Sequence, residues 1–475
     1  MKQRIAGGAI LLLAFLSIRV LQAQDTRTVT QPKIPTYCGQ ITGEITVTNG
    51  DLSSTANTHF DTTRVQSLLN SCPSGEAVGL AVGTTYDGVS GNYNAFQIQP
   101  ITIPAGVTLV IESGVTVFAS INARDYDVSS GSCGILASSG NGCKNLITVT
   151  AGSGSGIMGP GTINGRGGDV VQGISPSGYT WWQLSSEAQT EDTGYYSPTM
   201  VSALNCNNFT LYEISFVNAP HQHVIFNYGN GYTVWGITIN TPYNARNTDG
   251  LDIGNAQNVT VTDSTISDGD DNVAIGSASG SEAEDYTISN DHFFAGHGVS
   301  IGSITTNGVA NILVENDSFS GNTSDSNSTA LRIKSAANEG GVVNNVQYKN
   351  ICIQNSHSPL QLNPHYNTDS GTDIPQFTNI GYHNVTVLTA GDVEIEGYSS
   401  SYLATVTLDN VIFDSLTSGD ITPSPEYANI TLGPGPVSSN LTAYLTGTGV
   451  TVTNDVTDPS EAAYSCPSSA FGTAP

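Results

Sequence analysis

Apolar and polar residues alternate along this chain in short bursts, and the bursts return at a nearly constant interval. The β-branched runs Phe209-Thr210-Leu211, Tyr232-Thr233-Val234, Val259-Thr260-Val261, Tyr286-Thr287-Ile288, Ile312-Leu313-Val314 and Val346-Gln347-Tyr348 begin 23, 27, 27, 26 and 34 residues apart. A further run, Val406-Thr407-Leu408, follows Ile380-Gly381-Tyr382 by 26. A period in this range, made of strands and turns without helical patterning, predicts a parallel β-solenoid. Its rungs would lie about 4.8 Å apart, so residues one period apart would sit almost on top of one another. Stacked like charges repel, and only 11% of the chain is charged. Asn, Thr, Ser and Gly suit the bends between short strands, and inward Val, Ile and Leu fill a dry core.

The repeat runs from about Thr108 to about Leu441 without an obvious linker, which favours one long domain. Ahead of it, Asp61-Thr62-Thr63 followed by Val65, Leu68 and Leu69 predicts a capped amphipathic helix ending near Cys72-Pro73. Such a helix would cover the open end of the coil, where strand edges and core are otherwise bare. The stretch Ser175–Thr199 breaks the repeat and reads as a long loop whose aromatics, Trp181, Trp182, Tyr195 and Tyr196, either stack on sugars or pack on the coil. After about Thr442 the patterning weakens into a C-terminal cover with frayed last residues. The expected division is 1–23 leader, 24–60 N-terminal extension, 61–445 solenoid and 446–475 tail.

Lys2 and Arg4, an apolar run from Ile5 to Ile18, and Gln22-Ala23-Gln24 resemble a secretory signal cleaved after Ala23. Seven cysteines in an exported chain predict disulfides with one thiol left over. Cys133 and Cys143 bracket a Gly/Ser loop and form the expected pair. Cys38 and Cys72 could staple the N-terminal segment, whereas Cys206 and Cys352, inside repeat strands, read as buried thiols. Thirteen basic against 40 acidic residues give a formal charge of −27. A phosphate polymer would be repelled at long range, so nucleic acid is excluded as a partner, and any anionic ligand must be held by a few local cations.

Four polar islands interrupt the pattern at about the repeat interval. They are Asn247-Thr248-Asp249-Gly250, Gly269-Asp270-Asp271, Gly296-His297-Gly298 and Arg332-Ile333-Lys334. Asp249 precedes Asp270 by 21 residues and Asp271 by 22, close to one rung. Consecutive strand residues face opposite ways, so Asp270 and Asp271 share a cleft only if Gly269 bends the chain. Two carboxylates about 5 Å apart at an effective dielectric near 20 repel by about 3 kcal/mol, equivalent to roughly two pKa units. One of the set should therefore hold a proton into mildly acidic pH beside an ionised neighbour, the condition glycosidic cleavage demands. Asp252 is a secondary candidate. His297, between glycines, is exposed enough to tune an acid or bind a hydroxyl. Arg332 and Lys334 are i, i+2 on one strand face and form a receptor for a sugar carboxylate, with Arg able to bind it bidentately. Each island alone has a plainer reading as turn chemistry or a surface charge couple.

In order and spacing the four islands, extended to Leu251-Asp252, Asn272 to Ile275, and Val299 to Ser303, resemble the signature of glycoside hydrolase family 28, the polygalacturonases. The resemblance also takes in Gly106-Val107-Thr108-Leu109, Gly159 to Gly165 and Asn218-Ala219-Pro220. It implies an all-β, single-stranded, right-handed parallel β-helix with an N-terminal capping helix, and hydrolysis of α-1,4 galacturonosyl bonds of pectin with inversion and without a metal or other cofactor. By the same resemblance Asp270 is the general acid, Asp249 and Asp271 hold the attacking water, and His297 assists. Arg332 with Lys334 would bind the galacturonate carboxylate, and Asn247 and Tyr366 the substrate. Asn272 stands where many members have Cys.

Two alternatives from other classes stay open at this point. One is a calcium-dependent pectate lyase, and the other a non-catalytic, pectin-binding or adhesive β-helix. The expectation is a secreted, extracellular or periplasmic monomer acting on polygalacturonate, free of the membrane once its leader is removed.

Overall fold

The computed structural model describes residues 24–48, 50, 52, 58–138, 140–368, 370–420, 424–455 and 461–475. The leader expected over 1–23 lies outside the described residues. Among those described, no helix is long and apolar enough to cross a membrane.

The repeat folds as a parallel β-helix. One face is a ten-stranded parallel sheet in chain order: β1 (Ile101–Ile103), β2 (Ile147–Val149), β3 (Val201–Leu204), β4 (Val224–Asn227), β5 (Leu251–Gly254), β6 (Val273–Gly276), β7 (Val299–Ile301), β8 (Thr329–Lys334), β9 (Ser358–Asn363) and β10 (Val393–Ile395). The other walls form a second sheet of 24 strands, whose parallel pairing starts at Tyr37–Thr42 and ends at Thr451–Asn454. Side chains alternate across each strand, so the first sheet presents inward columns such as Ile253, Ile275, Ile301, Ile333 and Leu362, all buried. The intervening outward column runs Asp252, Ala274, Ser300, Arg332, Gln361 and Glu394. A fully buried Ile or Leu contributes about 1.5–3 kcal/mol relative to exposure. The repeated inward columns therefore hold the outward one in register.

At one corner the chain turns through left-handed asparagines, which adopt positive φ at low cost. Asn316, Asn350, Asn384 and Asn410 have φ of 61°, 55°, 57° and 57°. Each amide donates to the preceding one at 2.9 Å. The Asn-x-Ser/Thr triplets at Asn316 and Asn384 are thus ladder positions.

The helix α1 (Thr62–Ser71) buries Val65 and Leu69 at the N-terminal end of the coil. Asp61 precedes it but caps no helical N–H. It adopts a helical φ/ψ, and its carboxylate accepts instead from the Gln97 backbone N–H at 2.8 Å and pairs with Arg64. The Cys133–Cys143 and Cys38–Cys72 disulfides are both present, and Cys206 is a free buried thiol. Cys352, expected as a buried thiol, is instead bonded to Cys466. Its strand lies on the outer wall, where the returning tail reaches it.

That tail is also less frayed than expected. Tyr464 O accepts from Thr386 Oγ1 at 2.7 Å, and the Pro475 carbonyl accepts from Asn240 Nδ2 at 3.1 Å, so the last residues run back over several rungs. The stretch 175–199 is likewise not all loop. It holds the helix α2 (Trp181–Thr190), started by a reciprocal capping box between Thr180 and Gln183. Trp181 is buried in the core and Trp182 Nε1 donates to Ala219 O at 2.8 Å, so these two aromatics pack on the coil.

Asp291 and Asp317 are stacked one rung apart and buried. Oδ1 of each accepts one backbone N–H, from Ser264 at 2.6 Å and from Asp291 at 2.7 Å. Their second oxygens have no hydrogen-bond partner among the described residues, and burial pushes both carboxyls well above the ordinary range. A carboxyl raised above its unfolded value keeps its proton in the fold, so the native state binds more protons and stability falls as pH rises. The half-buried His221 and the buried His223, both lowered to about 4 chiefly by desolvation, oppose this trend only up to the ordinary histidine value near 6.5. Above that value, Asp317→Asn should gain on the wild type by up to about 1.4 kcal/mol per pH unit in denaturant unfolding. A stability difference that stays constant from pH 6.5 to 8 would show that Asp317 is ionised in the fold.

Candidate active site

The four islands meet on the outward face of the ten-stranded sheet, in a cleft of about 890 Å³ lined by Asn247, Asp249, Asp252, Asp270, Asp271, His297, Arg332, Lys334 and Tyr366. Asp249 and Asp271 sit just before β5 and β6, and His297 just before β7, so successive rungs deliver them to the same edge. Gly269 meets the condition set by the sequence. A Cβ there would collide with the Ala245 carbonyl, and the close approach lets Asp270 and Asp271 both reach the cleft. Asp270 is the more open, with 19% of its side chain exposed against 5% for Asp271.

Asp271 is the electrostatic centre. Its Oδ1 accepts from Arg332 Nη2, its Oδ2 pairs with Lys334 Nζ at 3.0 Å, and His297 Nδ1 lies 3.4 Å from Oδ1. Burial alone would raise its pKa, but Arg332, Lys334 and His297 outweigh burial and hold it well below the usual carboxylate range. Ser300, next in the outward column, accepts from Arg332 Nε at 2.8 Å and fixes the guanidinium. Tyr366, half exposed, has its ring centroid 4.9 Å from Lys334 Nζ, a cation–π contact that forms one side of the cleft.

Asp270 is held through both oxygens. Oδ1 accepts from His297 Nδ1 at 3.1 Å and from the Asp271 N–H at 3.1 Å, and Oδ2 accepts from Asn247 Nδ2 at 3.2 Å. His297 is pulled down by burial, yet the hydrogen bonds it donates to Asp270 and Asp271 prevail and raise it to about 9. It is therefore an imidazolium across neutral pH. Asn272, where the family resemblance puts a cysteine in many members, steadies the histidine's turn. Its Nδ2 donates to Ala295 O and its Oδ1 accepts from Gly298 N, both at 2.9 Å.

The remaining carboxyls move the other way. Asp249 is pushed well above the ordinary value by burial first and then by Asp252, Asp270 and Asp271. Asp252 is raised to about 8 by burial and by Asp271 and Asp270. Asp252 follows Asp249 by three residues yet opens onto the same cleft, because Asp249 lies in the bend before β5 and Asp252 within it. The cleft thus combines one firmly ionised carboxylate with neighbours that hold protons, the division of labour that acid and base catalysis requires. Asp270, Asp271 and His297 also offer ligand atoms within 4.8 Å of one another. A cation there would face Arg332 and Lys334 across Asp271, which disfavours it.

Residue order under-weighted two contributors. Tyr195, from the segment after α2, donates to Asn247 Oδ1 at 3.3 Å and so orients the amide that meets Asp270. Its only sequence signal was the aromatic density of the insertion. Asp268, fully buried beneath the cleft, accepts from the Asp270 N–H at 3.1 Å, and no local pattern set it apart from an ordinary turn aspartate. The stretch 127–142 and the insertion 175–199 are joined to each other. Ala137 N donates to Gly194 O at 2.8 Å and Tyr196 N to Ile135 O at 3.0 Å, and together they border a second hollow of about 340 Å³ beside Asn227.

Comparison with known proteins gives a consistent picture. The family described as glycosyl hydrolases family 28 matches residues 92–432. An endo-polygalacturonase of Pectobacterium carotovorum subsp. carotovorum is 39% identical over 82% of this chain and 90% of its own length. A polygalacturonase of Ralstonia nicotianae is 36% identical over 93% and 91%. The solved polygalacturonase from Erwinia carotovora ssp. carotovora superposes with a TM-score of 0.71 at 32% identity, covering 90% of this chain and all of that one.

The hydrogen bond from His297 to Asp270 can be tested without any substrate. Its contribution is complete below the ordinary histidine value near 6.5 and is lost as pH rises through about 9. Titrated by proton NMR, the His297 ring signal should move near pH 9 in the wild type and at lower pH in Asp270→Asn. A wild-type titration near 6.5 would mean that the two side chains do not pair in solution.

Proposed function

The chain belongs to glycosyl hydrolase family 28, and from that premise we propose that it is an exported endo-polygalacturonase cleaving α-1,4 galacturonosyl bonds of pectic homogalacturonan with inversion. The observation that carries this reading is the convergence of Asp249, Asp270 and Asp271 with Arg332 and Lys334 in one cleft. An acid, a water-holding carboxylate and a receptor for an anionic sugar are the three parts that such a reaction needs. The three disulfides support an oxidising destination.

Asp270, the more exposed of the adjacent pair, protonates the leaving glycosidic oxygen. His297 and Asn247, which donate to its two oxygens, stabilise the carboxylate left behind. Asp271 stays ionised and orients the attacking water, and Asp249, once its proton has passed to Asp270 within the coupled set, takes up the proton that water loses. The carboxyls titrate as one coupled set, so the proton resides wherever the bound substrate stabilises it best. Arg332 and Lys334 have a double task, holding Asp271 and receiving the sugar carboxylate, and Tyr366 covers the sugar face.

The length of the face gives room for endo action. From β3 to β9 there are six rung spacings, about 29 Å at 4.8 Å each, enough for several sugar units in a row. The Pectobacterium relative is likewise an endo-polygalacturonase.

On polygalacturonate the enzyme should release reducing ends, with early products of mixed length and inverted anomeric configuration. Asp270→Asn should keep the fold and lose turnover by about two to four powers of ten. Near wild-type kcat in that variant would remove Asp270 from the acid role, and unsaturated, ultraviolet-absorbing ends would mean elimination instead. Lys334→Ala should chiefly raise KM, and an unchanged KM would count against its place as carboxylate receptor.

A further inference from the structure

A polymer of galacturonate carries a carboxylate on every unit, so a cleft that spans the scissile bond faces anionic groups on both sides of it. The receptor pair proposed above, Arg332 with Lys334, serves one side only. Of the 13 Lys and Arg residues, Arg246, Arg332 and Lys334 line the cleft. Arg332 and Lys334 already bind Asp271. Elsewhere Arg27, Arg64, Arg124 and Arg166 are paired with Asp25, Asp61, Asp127 and Asp169. Arg246 has no ion pair among the described residues, although the protein carries 40 acidic side chains.

Its backbone is fixed while its side chain is free. Ala245 N donates to Pro242 O at 2.9 Å and Thr248 Oγ1 to Ala245 O at 2.6 Å, closing the turn. Ser185 of α2 donates to the Arg246 carbonyl at 3.4 Å. The side chain lines the cleft, and the guanidinium lies close enough to Tyr195 and His221 for its charge to act on both. Arg246 leads into β5 and Asp270 and Asp271 into β6, while Arg332 and Lys334 reach back from β8 to Asp271, so Arg246 and the basic couple come to the acids from opposite directions along the coil axis.

We propose that Arg246 is a second carboxylate receptor, binding the galacturonate unit on the opposite side of the scissile bond from the unit held by Arg332 and Lys334. The assignment rests on the polygalacturonase reading given above. A guanidinium without an internal partner, desolvated by a sugar carboxylate, forms a two-pronged charge-assisted hydrogen bond that a methyl ester cannot match. Arg246 therefore makes the enzyme sensitive to esterification on that side of the cut.

Steady-state kinetics of the full chain, wild type against Arg246→Gln and Arg246→Lys, on polygalacturonate and on highly methyl-esterified pectin, test this. Arg246→Gln should raise KM on polygalacturonate about tenfold with the loss falling chiefly on KM, while on esterified pectin its KM should stay within about twofold of wild type. Arg246→Lys keeps the charge without the fork, so its KM on polygalacturonate should fall between the two, and it carries the test if Arg246→Gln fails to fold. An unchanged KM on polygalacturonate overturns the proposal, as does an equal rise on both substrates, which would indicate a role in shape only. If the wild type binds polygalacturonate through Arg246 yet releases no reducing ends, the hydrolase reading fails and the receptor stands. If it neither binds nor cleaves, both fail.

Discussion

Register between rungs is the constraint on which the cleft depends. Asp252, Ala274, Ser300 and Arg332 belong to one outward column because Ile253, Ile275, Ile301 and Ile333 belong to one inward column, one residue further along each strand. A slip of a single residue would send Arg332 into the core and an isoleucine into the cleft. The free energy that holds the site together is therefore mostly hydrophobic and lies on the other side of the sheet. Small outward residues at Ala274 and Ser300 leave the space in which the long Arg332 side chain can lie back over two rungs to reach Asp271.

Within that frame, the charges sort themselves by distance from the cations. Asp271, in contact with Arg332 and Lys334, is held ionised. Asp249 and Asp252, half-buried in the same cleft without an ion pair among the described residues, are driven toward the neutral form. Breaking a buried pair by removing one partner typically costs about 3–5 kcal/mol, because the other charge is stranded. The basic couple is thus tied to stability as well as to binding, and the two roles separate best at Lys334, whose ammonium can shift between Asp271 and a ligand. His297 joins the two halves by contacting both Asp270 and Asp271.

Much of this was legible in residue order because a solenoid turns sequence period into spatial proximity. The β-branched runs indicated the coil, and the spacing of Asp249, Asp270 and Asp271 indicated one shared rung edge. The unread parts all depend on contacts the period does not encode. Cys466 returns to Cys352 over 114 residues of sequence, and nothing local distinguishes that pairing from a buried thiol. Thr180-x-x-Gln183 is a capping box that could have signalled α2, but the surrounding aromatics and glycines favoured a loop. Asp61 had the identity of a cap residue and was recruited instead by Gln97 of a neighbouring rung. Tyr195 reaches Asn247 only because the two insertions brace each other.

The scarcity of cations then acquires a physical meaning. A protein of formal charge −27 repels a polyanion at long range, so encounter is disfavoured everywhere except where positive charge is locally concentrated. Arg27, Arg64, Arg124 and Arg166, outside the cleft, are neutralised by nearby aspartates, whereas Arg246, in the cleft, has no ion pair among the described residues. Repulsion from the flanks and attraction in the groove together orient a long anionic chain along the coil axis. Lower pH weakens the repulsion by protonating surface carboxylates, while Asp271, held ionised by its cations, keeps its charge. Acid conditions therefore favour approach of the polymer without discharging the carboxylate that holds the water.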